Sequence, residues 1–153
     1  MMADTTTGTT SDGLVSDFER GHVPGEFHHA DHVRVAFAYV SQFPFLEAIE
    51  RFSAALKRYA LSKGKPNLYH ETITWAYLFL IRERRARAGH TQTWEEFAAR
   101  NPDLLVWKGG VLAKFYRQET LDSDLARHMF VLPDRSLCFP NRTTSHARPV
   151  PPP

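Results

Sequence analysis

Between about residues 29 and 130 apolar side chains recur every three or four positions, and strand-like alternation is nearly absent. This interval limits the fold more than any other feature. It is plainest in Leu46, Ile49, Phe52, Leu56, Tyr59 and Ala60, which fall on one buried helical stripe. Prolines and glycines cut the pattern into segments. The first core helix is predicted from about His29 to Gln42, ahead of Pro44. The second runs from about Leu46 to Ser62, ended by Gly64 and Pro66. A third spans about Tyr69 to Ala88 and stops before Gly89. A fourth opens on the capping box Thr93-Trp94-Glu95-Glu96 and ends near Asn101-Pro102. A fifth covers about Asp103 to Arg117, weakened by Gly109-Gly110. The last follows Asp122 or Ser123 and runs to about Phe130. The expected fold is all-α: a compact single-domain bundle of about five to six helices with short connections.

Composition sets the domain's limits. Residues 1–13 are mostly Thr, Ser, Gly and Asp, which suits a flexible lead, and residues 135–153 form a Pro-rich tail. The helical domain is therefore expected over 14–134. Hydrophobic residues make up 42 % of the 153, enough for a core. With 19 basic and 17 acidic residues, the charge is nearly balanced, unlike that of a dedicated nucleic-acid binder. The basic run Arg82 to Arg87 lacks interleaved aromatics and closes a helix, where cations complement the dipole. The single cysteine, Cys138, cannot form an internal disulfide and reads as incidental. The N-terminus lacks signal-peptide character, and the apolar run Trp75 to Ile81 is too short to span a bilayer. A cytoplasmic protein with no membrane or nucleic-acid partner is the expectation.

Chemistry concentrates at two helix starts. One reads Phe27-His28-His29-Ala30-Asp31-His32-Val33-Arg34, the other Tyr69-His70-Glu71-Thr72-Ile73-Thr74. On a wheel of about 100° per residue, His29 falls on the stripe of Val33, Ala36, Phe37 and Val40, and His32 at its edge. Asp31, Arg34 and Ala38 point the other way, and His28 lies off the stripe. On the third helix Thr74, Tyr77, Leu78 and Ile81 form the apolar face, and His70 shares their axis. Imidazoles suit iron or zinc, so His29, His32 and His70, supported by Glu71 or Asp31, are read as ligands of one divalent transition metal. Glu71 and Tyr69 are the catalytic candidates, and Arg34, Thr74 and Arg127 the substrate-binding ones. Asp124 and Asp134 are candidates for closing the pocket. The implied activity is metal-dependent oxidation or hydrolysis of a small molecule. An alternative from another class is a non-catalytic module that binds a small ligand or a protein, with structural or pH-responsive histidines. A third reading is metal-free acid–base chemistry by His70 and Glu71.

The same segments resemble a widespread group of small bacterial proteins. Its pattern joins Phe27, His29, His32, Arg34 and Ala36, then Tyr69 through Ala76, then Val131 through Asp134. The resemblance covers about residues 26–134 and favours His29 over His28 as the inward histidine. It implies no particular activity.

Overall fold

The central element is a helix with buried residues on nearly every side. The computed structural model describes residues 11–135 apart from 24, 90 and 91, and among these the chain forms seven α-helices and no strand. They are α1 (Ser11–Glu19), α2 (His29–Gln42), α3 (Phe45–Ser62), α4 (Glu71–Ala88), α5 (Trp94–Arg100), α6 (Gln118–Leu121) and α7 (Asp124–His128). Helix α2 packs against α1, α3 and α4, and α4 also carries α7. Val33 and the whole run Val35 to Val40 are buried, as expected of a helix surrounded by others.

Helix α1 lies where no helix was expected, and it starts inside the expected lead. Its signal is brief: Leu14, Val15 and Phe18 in a polar stretch. Val15 and Phe18 are buried, and the Phe18 ring stacks on Phe27 at 5.3 Å and on Phe52 at 5.9 Å. Packing α1 on α2 also explains why Ala38, read as outward, is buried. Residues 1–10 and the tail from 136, with Cys138, lie outside the described residues.

The middle helices form where capping and periodicity agree. Thr93 accepts the Glu96 N–H while the Glu96 carboxylate accepts the Thr93 N–H, closing the capping box of α5. Gly89 ends α4 with φ of 81°, a conformation that costs glycine little. In α3 the stripe from Ile49 to Ala60 faces inward, but Leu46 is 80 % exposed. It sits in the first turn, beyond the reach of α2 and α4.

The expected helix from Asp103 to Arg117 does not form. In its place stand two short 3-10 turns, Pro102–Leu105 and Val111–Lys114, joined by a loop. A Cβ on Gly110 would lie 2.1 Å from the Val106 carbonyl oxygen, so the chain folds back on itself there. Trp107 is 56 % exposed on this loop. The expected last helix forms as α7, with Ser123 capping it through the Ala126 N–H, and it ends at His128 rather than near Phe130; α6 precedes it where no helix was expected.

The basic run on α4 is distributed among structural contacts. Arg84 grips Asp103 with two hydrogen bonds of 2.6 and 2.7 Å. Arg85 is buried and donates to the Val40 carbonyl, Arg82 lies over the Phe45 ring, and Arg87 pairs with Glu83. Among the described residues no helix is long and apolar enough to cross a membrane.

The segment after α7 is tied to α4 by one buried hydroxyl. Thr72 Oγ1 donates to the Met129 carbonyl at 2.9 Å and accepts the Val131 N–H at 3.1 Å. The Tyr116 hydroxyl holds the Val131 carbonyl at 2.9 Å. Thr72→Val keeps the volume but leaves both backbone groups unpaired. We expect it to cost about 2 kcal/mol, read as a lower urea midpoint at unchanged slope. A change under about 0.5 kcal/mol would show that water replaces the hydroxyl.

Candidate functional site

The starts of α2 and α4 open into one cavity of about 890 Å3. Helix α3 forms one side and the loop around Trp107–Gly110 another, with α6 and α7 near the start of α4. Phe27, Leu56, Ile73 and Leu112 supply apolar wall. His29, His32, His70, Tyr69, Thr74 and Arg127, all singled out above, line it too. The wheel's prediction that these histidines share an inward face is thus met. His28 is exposed and points elsewhere, toward Glu26 and Asp31.

The three imidazoles are held differently. His70 is the N-cap of α4: its Nδ1 accepts the Ile73 N–H at 3.3 Å, and its Nε2 lies 2.7 Å from the Leu121 carbonyl. A carbonyl only accepts, so Nε2 carries the proton and both ring nitrogens are engaged. His29 Nε2 donates in the same way to the Leu104 carbonyl at 2.9 Å, which leaves Nδ1 with a free lone pair. The His29 ring meets Tyr77 edge-on at 5.1 Å and Trp107 at 5.2 Å. His32 packs on Phe27 at 4.1 Å, and neither of its nitrogens has a hydrogen-bond partner among the described residues.

Burial favours the neutral form of all three. It lowers His32 to about 4, helped by His29 and opposed by Asp31. It also lowers His29, against the Leu104 hydrogen bond, and His70, against the Leu121 one. Among the described residues no group of three or more His, Cys, Asp or Glu side chains is arranged around a point where a metal could sit. The atoms that retain lone pairs for a metal are His29 Nδ1 and the His32 ring. His70 would have to release its helix cap first.

The carboxylates assigned to the histidines are engaged elsewhere. Glu71 does not line the cavity. Its carboxylate accepts the Tyr69 hydroxyl at 2.7 Å and faces Lys57 Nζ at 3.3 Å. The pairing of His70 with Glu71 as base and partner is therefore not formed. Asp31 folds back to accept the His28 N–H at 2.9 Å, capping α2. Tyr69 is buried with its hydroxyl spent on Glu71, and burial raises its pKa. Thr74 lines the cavity.

The cationic candidates separate. Arg127 reaches the cavity and donates to the Asn67 carbonyl at 2.7 Å. Arg34 does not. It is exposed beside a second, smaller cavity of about 420 Å3 with Arg85, Gln92 and Trp94, on the side of α2 to which the wheel assigned it. Asp124 is exposed in the first turn of α7 and does not line the cavity. Asp134 accepts the Arg117 N–H at 2.8 Å and the Thr120 hydroxyl, which lower its pKa.

Several lining residues escaped the sequence reading. Tyr59 and Tyr77 were counted as stripe, and both present rings to the cavity. Lys108 and Arg135 also line it. The Gly109-Gly110 pair was the available signal for the loop that closes one side.

A comparison with protein-family models, curated proteins and solved structures finds no match to this chain.

Proposed function

We propose that this chain binds a small, mostly apolar molecule in the cavity between α2, α3 and α4. The observation that supports the reading is a preformed space of about 890 Å3 whose walls are mostly apolar and aromatic, with a few hydrogen-bonding and charged groups among them. Small-molecule sites share this size and make-up. His32 is the principal recognition group, since it lines the cavity and its ring nitrogens are unengaged among the described residues. His70 and the Leu104-bonded side of His29 hold the walls. The resemblance to the small bacterial group is consistent with this: Phe27, His29, His32, Tyr69, His70 and Thr74 of its pattern all line the cavity. Membership of that group and a cytoplasmic location belong to the same proposal.

The neutral fluorophore N-phenylnaphthylamine tests the reading. It should brighten saturably with one equivalent bound, and Ala113→Trp, at an exposed lining position, should abolish the signal. Brightening that survives Ala113→Trp, or none in the native chain, would overturn it.

A second reading is favoured by the free lone pairs of His29 and His32. These two imidazoles, at i and i+3, would hold iron or zinc for oxidation or hydrolysis of the bound molecule, with Tyr69 and Thr74 beside it. Elemental analysis decides. Near-stoichiometric metal, lost in His32→Ala but kept in Glu71→Gln, supports this version, and metal-free protein from metal-replete medium rejects it.

A further inference from the structure

We infer that the cavity's ligand is an oxyanion on an apolar body, with its anionic head at Arg127. The inference rests on the binding role proposed above and names the chemical class bound.

The lining is electrically lopsided. Among the described residues Lys108, Arg127 and Arg135 border the cavity, against Asp122 as the single carboxylate. None of the three cations forms an ion pair among the described residues. The histidines add no charge, because burial lowers all three below their ordinary range. Three cations against one carboxylate at the border of a largely apolar cavity favour an anion over a cation there.

Arg127 is the cation best placed to recognise it. It is partly buried, and the bond from Nη1 to the Asn67 carbonyl anchors one corner of its guanidinium. Nη2 and Nε have no partner among the described residues. A guanidinium held by one corner presents its remaining donors as a fork that matches two oxygens of a carboxylate or sulfonate. Arg84 shows bidentate carboxylate binding in this molecule, end-on through Nη1 and Nη2 to Asp103, where Arg127 would use its Nη2–Nε edge. His70 sits close enough to Arg127 for the cation to depress its pKa, yet its donor is committed to Leu121. It therefore flanks the head without competing for it.

The rest of the cavity specifies the body. Phe27, Leu56, Ile73 and Leu112 offer no hydrogen bonds, and the Tyr59 and Tyr77 rings suit a flat or hydrocarbon group. The start of α2 and the start of α4 line the same space, so a molecule can meet His32 with a polar tail while Arg127 holds its head.

Two probes of nearly one shape test this on the full chain: anilinonaphthalene sulfonate and its uncharged parent, N-phenylnaphthylamine. The sulfonate should bind at least about tenfold more tightly, the equivalent of one charge-assisted hydrogen bond. Arg127→Met should remove that advantage and leave the neutral probe within about twofold. In the native chain, raising the salt concentration should weaken only the anionic probe, a readout that holds even if Arg127→Met folds poorly. Equal, salt-insensitive binding of both probes would overturn the anion inference while the cavity reading stands. Failure of both probes to bind would overturn the cavity reading itself.

Discussion

Replacing His70 with leucine should remove about 3 kcal/mol from the free energy of unfolding, among the largest single-site losses outside the apolar core. The side chain is 7 % exposed and joins two distant parts of the chain. Leucine fills much of the same space, so the loss comes from hydrogen bonds. The Ile73 N–H loses its acceptor at the start of α4, and the Leu121 carbonyl loses its donor. Each buried backbone group left unpaired costs about 1–3 kcal/mol. Asparagine separates the two. Its short side chain can still cap a helix but cannot reach Leu121, so His70→Asn should recover about 1 kcal/mol. Urea unfolding of the three proteins measures this. Equal stability of His70→Leu and native protein would show that the imidazole is held in place rather than holding the helix.

Acidification should destabilise the protein between about pH 6.5 and pH 4. His32 has an ordinary pKa of 6.5 when unfolded and about 4 when folded. As the pH falls through 6.5, the unfolded chain takes up a proton that the folded chain refuses, so protons favour unfolding. The stabilisation is fully present above the unfolded value, is lost progressively on the way down, and levels off below the folded one. A shift from 6.5 to about 4 corresponds to roughly 3 kcal/mol at the acid end. His29 and His70 are lowered too and add loss in the same direction. Asp103, lowered by its bond to Arg84, loses its contribution only below the ordinary carboxylate range, at a more acid step. The histidine window is therefore separable. Urea midpoints from neutral pH to about pH 4 should slope downward, and His32→Leu should flatten that slope. A flat native profile over the window would mean that water reaches the ring.

The helices were legible where periodicity and end signals coincide. Helices α2 and α5, and the C-terminal ends of α3 and α4, lie where stripes, Pro44, Gly64, Gly89 and the Thr93 box place them. Helix α1 was hidden because three apolar residues in a polar stretch are too few to reveal a period. The stretch from Asp103 to Arg117 misled because its apolar density is that of a helix, whereas Gly110 serves a tight backbone approach that only glycine permits.

The site was half legible. The wheel places His29, His32, His70 and Thr74 on the cavity because α2 and α4 are regular and their inner faces are apolar. Arg34 was chosen for its charge, against the direction of its own helix face. Glu71 was chosen for its neighbour. A helix-start carboxylate has freedom to turn, and Tyr69 and Lys57 engage it, so that it does not line the cavity. The partners that decide the state of the imidazoles are backbone carbonyls of irregular segments. No side-chain pattern announces the oxygens of Leu104 and Leu121.

Those bonds also order events during synthesis. His29 finds its carbonyl 75 residues downstream, His70 finds its own 51 downstream, and Thr72 reaches Met129 57 residues on. A nascent chain that has extruded only α1 to α4 has the histidines and the apolar walls but none of these acceptors. It presents an open, wet groove rather than a cavity. Closure must wait for the last short helices to leave the ribosome, and contacts of such long sequence separation form late. In that interval the groove is the surface a chaperone would meet, and the imidazoles are still free to titrate near neutrality.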